Sequence, residues 1–373
     1  MGQRTSALEG LVVNSSFWKG RRVFLTGHTG FKGSWLALWL MEMGAEVTGY
    51  ALPAEGETNL FTQANVANGM VSVFGDVRDL AALQTAMQKA RPEVVLHLAA
   101  QALVRASYAD PVNTFSTNVM GTVNLLEALR QCLDARCVVN VTTDKCYENR
   151  EWVWGYRENE PLGGYDPYSS SKACSELVTA AYRNSFFAKP GADTSSVAIA
   201  SARAGNVIGG GDYATDRLVP DVLAAFSQEH SVAVRNPNAV RPWQHVLEPL
   251  RGYLTLAEKL FAEGQAYAQA WNFGPRSEDA QPVQWIVEHL AKAWGAGAKW
   301  HVDQGEHPHE AHYLRLDTNK AQQHLHWHPQ LPLASALEWV VQWQRDVASG
   351  MQARDVTLRQ IREYSRLVSE DSK

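Results

Sequence analysis

The stretch R-R-V-F-L-T-G-H-T-G-F-K-G, Arg21 to Gly33, decides how the rest of the chain is read. Arg21 to Thr26 is short, apolar and β-prone, so it predicts a strand. Gly27, His28, Thr29, Gly30, Phe31, Lys32 and Gly33 follow without a gap, and the next residues place Trp35, Leu36, Trp39, Leu40 and Met43 on one side of a helix. Strand, glycine turn and helix in that order are what a dinucleotide site needs. The glycines let the backbone turn and approach a pyrophosphate, whose charge then meets the positive end of the helix. The spacing here is G-x-x-G-x-x-G rather than the more familiar G-x-G-x-x-G, so the flanking strand and helix carry most of the weight.

Outward from that turn, strands and helices alternate. Strands are predicted over Glu46 to Ala51, Met70 to Phe74, Val94 to Leu98 and Cys137 to Val141, with helices over Leu80 to Ala90 and Pro111 to Cys132. Repeated βα units imply an α/β fold with a doubly wound parallel (Rossmann) sheet. The expected division is a dinucleotide-binding domain over 18–203 with returning segments near 240–275, a smaller, mainly substrate-binding C-terminal lobe over 204–350, and a charged C-terminal helix over 351–373. Asp212 to Pro220 reads as loop, Val232 to Arg235 as a strand, Val246 to Phe261 as a helix and Ala270 to Phe273 as a returning strand. Trp285 to Trp294, Pro332 to Trp343 and Val356 to Leu367 read as helices, the last a solvated surface element because its charges alternate.

Bulk properties narrow the partners. The chain has 373 residues, 45% hydrophobic, enough for a large core, and its net charge of -5 argues against nucleic acid or an anionic membrane. No run approaches the roughly 20 apolar residues that span a bilayer. Arg4, Glu9 and Asn14 do not form a signal peptide. Cys132, Cys137, Cys146 and Cys174 have neither zinc nor disulfide-framework spacing, which fits reduced thiols and a cytoplasmic location. Seven of the 12 histidines fall between His301 and His328. His324, His326 and His328 lack a neighbouring acid or thiol, so no metal is expected.

A second stretch, Val141 to Lys172, carries the chemistry. It opens with V-T-T-D-K-C-Y at the predicted end of the fifth strand, where open α/β sheets place ligands, and closes with Y-S-S-S-K. Tyr168 and Lys172 at i and i+4 share a helix face, and a lysine cation beside a phenol favours the phenolate, making a general base. After the third strand, Gly75-Asp76-Val77 either presents a carboxylate to an adenine amino group or, with Asp76 as an N-terminal turn residue, opens the next helix.

These residues together resemble the extended short-chain dehydrogenase/reductases, and within them the nucleotide-sugar 4,6-dehydratases. The likeness rests on the glycine loop, His97-Leu98-Ala99-Ala100-Gln101, Asn118-Val119-Met120-Gly121-Thr122, Thr143-Asp144, Tyr168-x-x-x-Lys172 and Arg203-Ala204-Gly205-Asn206-Val207. The branch that uses CDP-glucose is indicated by T-G-H-T-G-F-K-G, T-T-D-K-C-Y, the insert E-W-V-W-G-Y-R-E from Glu151, R-A-G-N-V-I-G-G-G-D from Arg203 and R-P-W-Q-H-V-L-E-P from Arg241. Trp152, Trp154 and Trp243 belong to these loops. The resemblance implies that Leu98, Ala99, Ala100 and Asn118, with Tyr168 and Lys172, contact the cofactor, and that Gln101, Asn206, Arg217, Arg241 and His245 contact substrate. Two departures matter. Gly49-Tyr50-Ala51-Leu52 lacks the acid that usually holds the adenosine ribose, and no arginine replaces it; the likeness favours NAD, while His28 and Lys32, the only nearby cations, leave NADP open. Thymidine-diphosphate-glucose dehydratases carry Asp-Glu where this chain has Asp144-Lys145.

The implied activity is a lyase cycle that feeds dideoxysugar synthesis for surface polysaccharide (O-antigen). The substrate is oxidised at carbon 4, loses water across carbons 5 and 6, and takes hydride back at carbon 6, so NAD is regained each turnover. Tyr168 takes the 4-hydroxyl proton, Lys172 lowers its pKa and holds the ribose, Thr143 orients the 4-oxygen, Asp144 protonates the leaving hydroxyl, and Lys145, if neutral, takes the carbon-5 proton. A nucleotide-sugar 4-epimerase, a dehydratase for another sugar nucleotide and a non-catalytic dinucleotide sensor are the alternatives. A homodimer or homotetramer is implied, through helices Val112 to Leu129 and Pro167 to Phe187.

Overall fold

The computed structural model describes residues 13–187, 197–303, 305 and 313–371. Its centre is a seven-stranded parallel sheet built from β1 (Arg22–Thr26), β2 (Glu46–Ala51), β3 (Val71–Phe74), β4 (Val94–His97), β5 (Cys137–Val141), β6 (Ala198–Ala204) and β7 (Ala270–Phe273). The spatial order is β7-β6-β5-β4-β1-β2-β3. The chain runs outward from β1 in both directions, so β1 and β4 flank the topological switch point, where such sheets bind ligands at their carboxyl ends. The glycine loop, Leu98–Gln101, Thr142–Lys145 and Gly205–Asn206 leave four of these strands at that same edge.

Period-two alternation explains the two covered faces. Val23, Leu25, Val94, Leu96, Val139 and Val141 pack on one side, against the Phe31–Glu42 and Leu247–Glu263 helices. Phe24, Val95, Val138 and Ile199 point to the other side, beneath Leu83, Met87, Leu125 and Leu129 of the Leu80–Ala90 and Gly121–Arg130 helices. A separate core of Val219, Val222, Phe226, Val234, Ile286, Leu290 and Val340 lies beyond the carboxyl edge. It joins the Leu218–Ser227, Val283–Trp294 and Leu333–Ala348 helices to a parallel ribbon of Ser231–Val234 and Lys299–Val302.

Three local expectations change. The helix expected over Pro111 to Cys132 is divided into Pro111–Phe115, a π-turn over Ser116–Met120 and Gly121–Arg130. Gly121 permits the fit, because a Cβ there would stand 2.7 Å from Val77 Cγ2. The loop expected over Asp212 to Pro220 ends early: Leu218–Ser227 is helical, and Pro220 sits in the first turn, where a missing N–H costs nothing. The C-terminal helix, Ala353–Asp371, is no mere surface element. Val356, Ile361, Tyr364 and Val368 are buried, and Tyr364 meets Trp39 edge to face at 5.9 Å. Its charges occupy the opposite face, which is how an amphipathic helix can show both patterns.

Candidate active site

The glycine loop is built for close backbone approach. Gly27 has φ +77°, and a Cβ on it would come within 2.8 Å of Ala99 N. A Cβ on Gly33 would lie 2.0 Å from the Gly27 carbonyl, so the helix can start there only with glycine. Gly30 is the helix N-cap; no side chain caps it and the first turn holds no acid. Orphan N–H groups with the positive helix end fit a pyrophosphate. Thr29 Oγ1 donates to the Leu52 carbonyl (2.9 Å), and the N–H groups of Leu98 and Ala99 donate to Thr26 Oγ1 at 3.1 Å each. Phe31 lies under Gly209, where a Cβ would stand 2.9 Å from its Cζ. Ala100 is half-buried between these contacts and Gln101.

The two cations of the loop do not face an adenosine ribose. His28 is buried against Gly49 and Phe61, with Nε2 at 2.7 Å from Ser72 Oγ, and burial pushes its pKa down to about 4. It is neutral at pH 7. Lys32 feels the charges of Arg217, Lys172, Asp144 and Asp212, so it points toward the catalytic groups; burial, helped by Arg217 and Lys172, brings it to about 8. Nothing in this pair supplies a dedicated cation for a ribose phosphate, which corrects the expectation that they leave NADP open. Further along, Asp76 is held below the usual carboxylate range by hydrogen bonds from Arg78, and Tyr50 Oη donates to the Asp76 carbonyl at 3.2 Å. The Val77 side chain is buried on Gly121, leaving only its backbone for a ligand.

Catalytic candidates converge from β5 and from the Pro167–Tyr182 helix. That helix starts sharply because Pro167 occupies its first turn and Asp166 caps it, accepting from Ser169 N at 3.0 Å. Tyr168 and Lys172 are buried on one face. Thr143 caps the short Asp144–Cys146 turn; its hydroxyl lies 3.0 Å from Asp144 Oδ1 and is hydrogen-bonded to Tyr168. Lys172 Nζ donates to the Val141 carbonyl at 3.2 Å. Four expected residues, Thr143, Asp144, Tyr168 and Lys172, therefore share one pocket, with Lys145 half-buried at its rim.

Electrostatics revise two roles. Burial pushes the Tyr168 phenol up to about 12, opposed by the Thr143 hydrogen bond and by Arg217. Lys172 is itself pulled down to about 8 by burial, with Glu176 opposing. The i,i+4 spacing puts the pair on one face, as expected, but the ammonium bonds the Val141 carbonyl, and burial works against the phenolate that the base role needs. On Asp144, burial acts in the direction that its expected role needs. Burial raises its pKa although Lys145 and Thr143 oppose this, and Oδ2 has no hydrogen-bond partner, facing instead the space beside Gly205. A buried carboxyl with a free oxygen is arranged to keep a proton and give it away.

The expected substrate residues divide. Arg241 is buried, donates to the Val240 carbonyl at 3.1 Å, and its charge reaches Asp144. Arg217 pairs with Asp212 at 2.9 Å and its charge reaches Tyr168 and Lys32. Asn206 follows Gly205, whose missing Cβ leaves room for Asp144 Oδ2 at 3.1 Å. These three border the cleft. His245 does not: it is fully buried between Trp35 (5.8 Å) and Trp339 (5.7 Å), and burial drops its pKa to about 3. It is a core residue. Gln101 is also taken, donating to Thr114 Oγ1 (2.8 Å) and accepting from Leu103 N (2.5 Å). Asn118 braces the Leu98–Gln101 loop against the Tyr168 helix; it bonds Gln101 N (2.9 Å), Gln101 O (3.0 Å) and Ser171 Oγ (2.8 Å).

Trp152, Tyr156 and Tyr147 stack in sequence, with centroids 5.2 Å apart in each step, in a small core with Cys146, Ala173 and Leu314; Trp154 is exposed. Trp243 packs into the second core. Among the described residues no three His, Cys, Asp or Glu gather as metal ligands; His307, His309 and His312 lie outside the described residues. The four cysteines are free thiols. A buried network missed by sequence reasoning, Glu176 with Arg203, lies beneath Lys172. Its signal was present: Glu176 continues the i,i+4 series from Tyr168 and Lys172, and Arg203 opens a quoted motif.

A doubly wound sheet with a glycine turn at its switch point and Thr, Tyr and Lys gathered beside it defines the extended short-chain dehydrogenase/reductases. Within that class the chain belongs to the GDP-mannose 4,6-dehydratase family, whose model matches residues 24–339. It is 53% identical to the CDP-glucose 4,6-dehydratase of Salmonella typhimurium over 95% of this chain and 98% of that one. The UDP-glucose 4-epimerase of Mycolicibacterium smegmatis is 29% identical over 87% of this chain and 99% of its own. Among solved structures, dTDP-glucose 4,6-dehydratase from Bacillus anthracis in complex with NAD shares the fold at TM-score 0.72 and 19% identity, covering 89% of this chain and 98% of that one.

Proposed function

We propose that the protein dehydrates CDP-D-glucose to CDP-4-dehydro-6-deoxy-D-glucose with NAD as a resident cofactor. The observation that carries the reading is Asp144, a buried carboxyl whose pKa is raised by burial, next to Thr143 and beside Tyr168, because a 4-epimerase needs no acid for elimination. The near-full-length likeness to the Salmonella enzyme supports the choice of nucleotide. The glycine loop fits a dinucleotide: Gly27, Gly30 and Gly33 hold the backbone open, Leu98 and Ala99 shape the floor, and Asp76 reaches toward the adenine end. NAD, when bound, supplies a hydride acceptor that later gives the hydride back.

The residues then divide the work. Tyr168 Oη takes the proton of the 4-hydroxyl, and Thr143 Oγ1 holds the 4-oxygen. Lys172, an ammonium below about pH 8, steadies the ribose and the Tyr168 phenolate that accepts this proton. The ketone acidifies the carbon-5 proton, which Lys145 removes as its neutral amine, and Asp144 protonates the departing 6-hydroxyl. Arg241 and Arg217 hold the diphosphate, for which a planar fork suits better than a point charge.

No described helix is long and apolar enough to cross a membrane. We assign the protein to the cytoplasm, in keeping with its free thiols, and to a homodimer or homotetramer. Val112 (78% exposed), Met120 and Leu177 (58%) give the Pro111–Arg130 and Pro167–Tyr182 helices an apolar outer face. The functional test is turnover of CDP-, UDP-, dTDP- and GDP-glucose, read by the absorbance of the 4-keto sugar in alkali. CDP-glucose should lead clearly; a 4-epimer without 6-deoxy product would overturn the reading.

A further inference from the structure

We propose that Glu176 is a positioning residue for this reaction: gripped by Arg203, Thr142 and Ser201, its carboxylate fixes the Tyr168–Lys172 helix against the ends of β5 and β6 and supplies the counter-charge that keeps Lys172 an ammonium. The inference rests on the roles given above to Tyr168 and Lys172.

Tyr168, Lys172 and Glu176 stand at i, i+4 and i+8, on one face of one helix. Glu176 is 4% exposed and every lone pair it presents is used. Oε1 accepts from Thr142 Oγ1 (2.5 Å) and Arg203 Nε (2.9 Å), and Oε2 from Ser201 Oγ (2.5 Å) and the second guanidinium nitrogen of Arg203 (3.0 Å). Thr142 is the neighbour of Thr143, and Ser201 and Arg203 belong to β6, so one carboxylate ties all three elements that carry the chemistry. A bidentate guanidinium fixes orientation as well as distance. Arg203 is fixed in turn, donating to Tyr147 Oη at 2.8 Å, which donates to Asn272 Oδ1 at 2.7 Å. Burial pushes the Glu176 carboxyl up, but Arg203 and the hydroxyls outweigh it, so the group stays ionised.

Lys172 depends on that charge. Its surroundings are the Val141 carbonyl and the Cys146 thiol from β5 and the turn after it, His97 at the end of β4, Lys32 from the first helix, and Tyr168 and Glu176 on its own helix. His97 is neutral, with a pKa near about 3, and burial raises the Cys146 thiol. Lys32 repels an ammonium. Of these described neighbours, Glu176 alone is an ionised carboxylate.

The test follows the charge of Lys172 directly, by NMR titration of lysine Nζ in the cofactor-free protein, assigned through Lys172→Met. Glu176→Gln should lower the midpoint by about one pH unit, the low end for loss of a nearby opposite charge. Glu176→Gln with Arg203→Gln, which restores a neutral packed pair, should leave the midpoint lowered. In the same two variants the alkaline limb of single-turnover nicotinamide reduction on CDP-glucose should move down equally. Arg203→Lys, which keeps the charge and loses the fork, should slow that step without moving the limb. An unmoved midpoint, or a double variant that regains the wild-type value, makes Glu176 a packing residue and overturns the proposal. Should Glu176→Gln not fold, Ser201→Ala, which removes one bond, must still slow nicotinamide reduction with the limb in place; an unchanged rate overturns the clamp. Failure of the wild type to reduce nicotinamide on CDP-glucose would count against the proposed function, and the NMR titration would still decide the inference.

Discussion

Replacing Asp144 by Asn and Lys145 by Met should separate oxidation at carbon 4 from elimination. The Asp144 change is nearly isosteric, and the structure sets its cost. Oδ1 accepts one hydrogen bond, from Thr143 at 3.0 Å, which an amide oxygen can also accept, and Oδ2 has no partner to lose. At acid pH, where the carboxyl is protonated folded and unfolded, a neutral group replaces a neutral group, and folding stability should change by no more than about 1 kcal/mol. An ionised, paired carboxylate would cost several times that.

The sign with pH is fixed as well. Burial raises the folded-state pKa of Asp144 above its ordinary 3.8. Its contribution to stability is then whole below that value and is lost as pH rises through the folded-state pKa. Melting temperatures should therefore favour the asparagine variant progressively as pH climbs from acid. Kinetically, Thr143, Tyr168 and Lys172 remain, so reduced nicotinamide should accumulate on adding CDP-glucose. Formation of 6-deoxy product should fall by about a hundredfold to ten-thousandfold, the range for lost general acid–base catalysis. Solvent deuterium should stop entering carbon 5. The assay is stopped-flow absorbance followed by product analysis. Release of 6-deoxy product at near the normal rate would show that Asp144 and Lys145 are structural and refute the assignment.

Tyr168→Phe should lose at least about a hundredfold in nicotinamide reduction, since it removes a proton acceptor and no packing; calorimetry should show NAD affinity retained and preferred over NADP. Arg241→Ala should raise the KM for CDP-glucose by at least about tenfold, as a lost charged hydrogen bond of ~1.5–3 kcal/mol implies, and an unchanged KM removes it from the diphosphate site. Tyr364→Phe cuts the bonds from Tyr364 Oη to Glu248 Oε2 (2.7 Å) and from Arg251 Nε to Tyr364 Oη (3.1 Å). It should cost about 1–3 kcal/mol in denaturant unfolding, because charged partners are left short inside the core. Leu177→Glu with Val112→Glu should yield monomers in sedimentation velocity, since two charges would have to be buried to keep the apolar face paired.

What could be read in advance follows from which interactions are local. The central sheet was legible because β-branched runs and glycine turns are written in consecutive residues: β2, β5 and β7 begin and end where expected. Helix ends set by capping were legible too, as with Leu80–Ala90, stopped by Arg91 in a left-handed conformation. The C-terminal helix was misjudged because alternating charge describes its outer face, while Tyr364 and Val368 meet partners more than 100 positions away, as in the bond to Glu248. The same limit applied within the site. Thr143, Asp144, Tyr168 and Lys172 lie in two short stretches, and their convergence could be expected. His245 stands four positions from Arg241 in one family-like run, yet the Gln244–His245 ribbon pairs with Val207–Ile208 and turns the imidazole into the core.

The pKa pattern shows why the chemistry could not be taken from spacing alone. A lysine one turn from a tyrosine suggests a phenolate, but that inference assumes the pair sits where charges attract more strongly than they are desolvated. Here both groups are fully enclosed, and burial acts against each charged form, raising Tyr168 to about 12 while lowering Lys172 to about 8. Burial alone therefore favours a neutral phenol beside an ammonium, with the Asp144 carboxyl shifted toward its protonated form next to Thr143. A neutral phenol cannot accept a proton, so the oxidation step runs through the phenolate that burial disfavours: Oη takes the 4-hydroxyl proton as the hydrogen on carbon 4 leaves as hydride. Arg217, whose charge opposes the effect of burial on Tyr168, and Lys172 one turn away are the cations that offset that cost. Once the phenolate has taken the proton, its charge beside Asp144 is gone, and the carboxyl is left to protonate the 6-hydroxyl, so one pocket holds the base for the first step and the acid for the second.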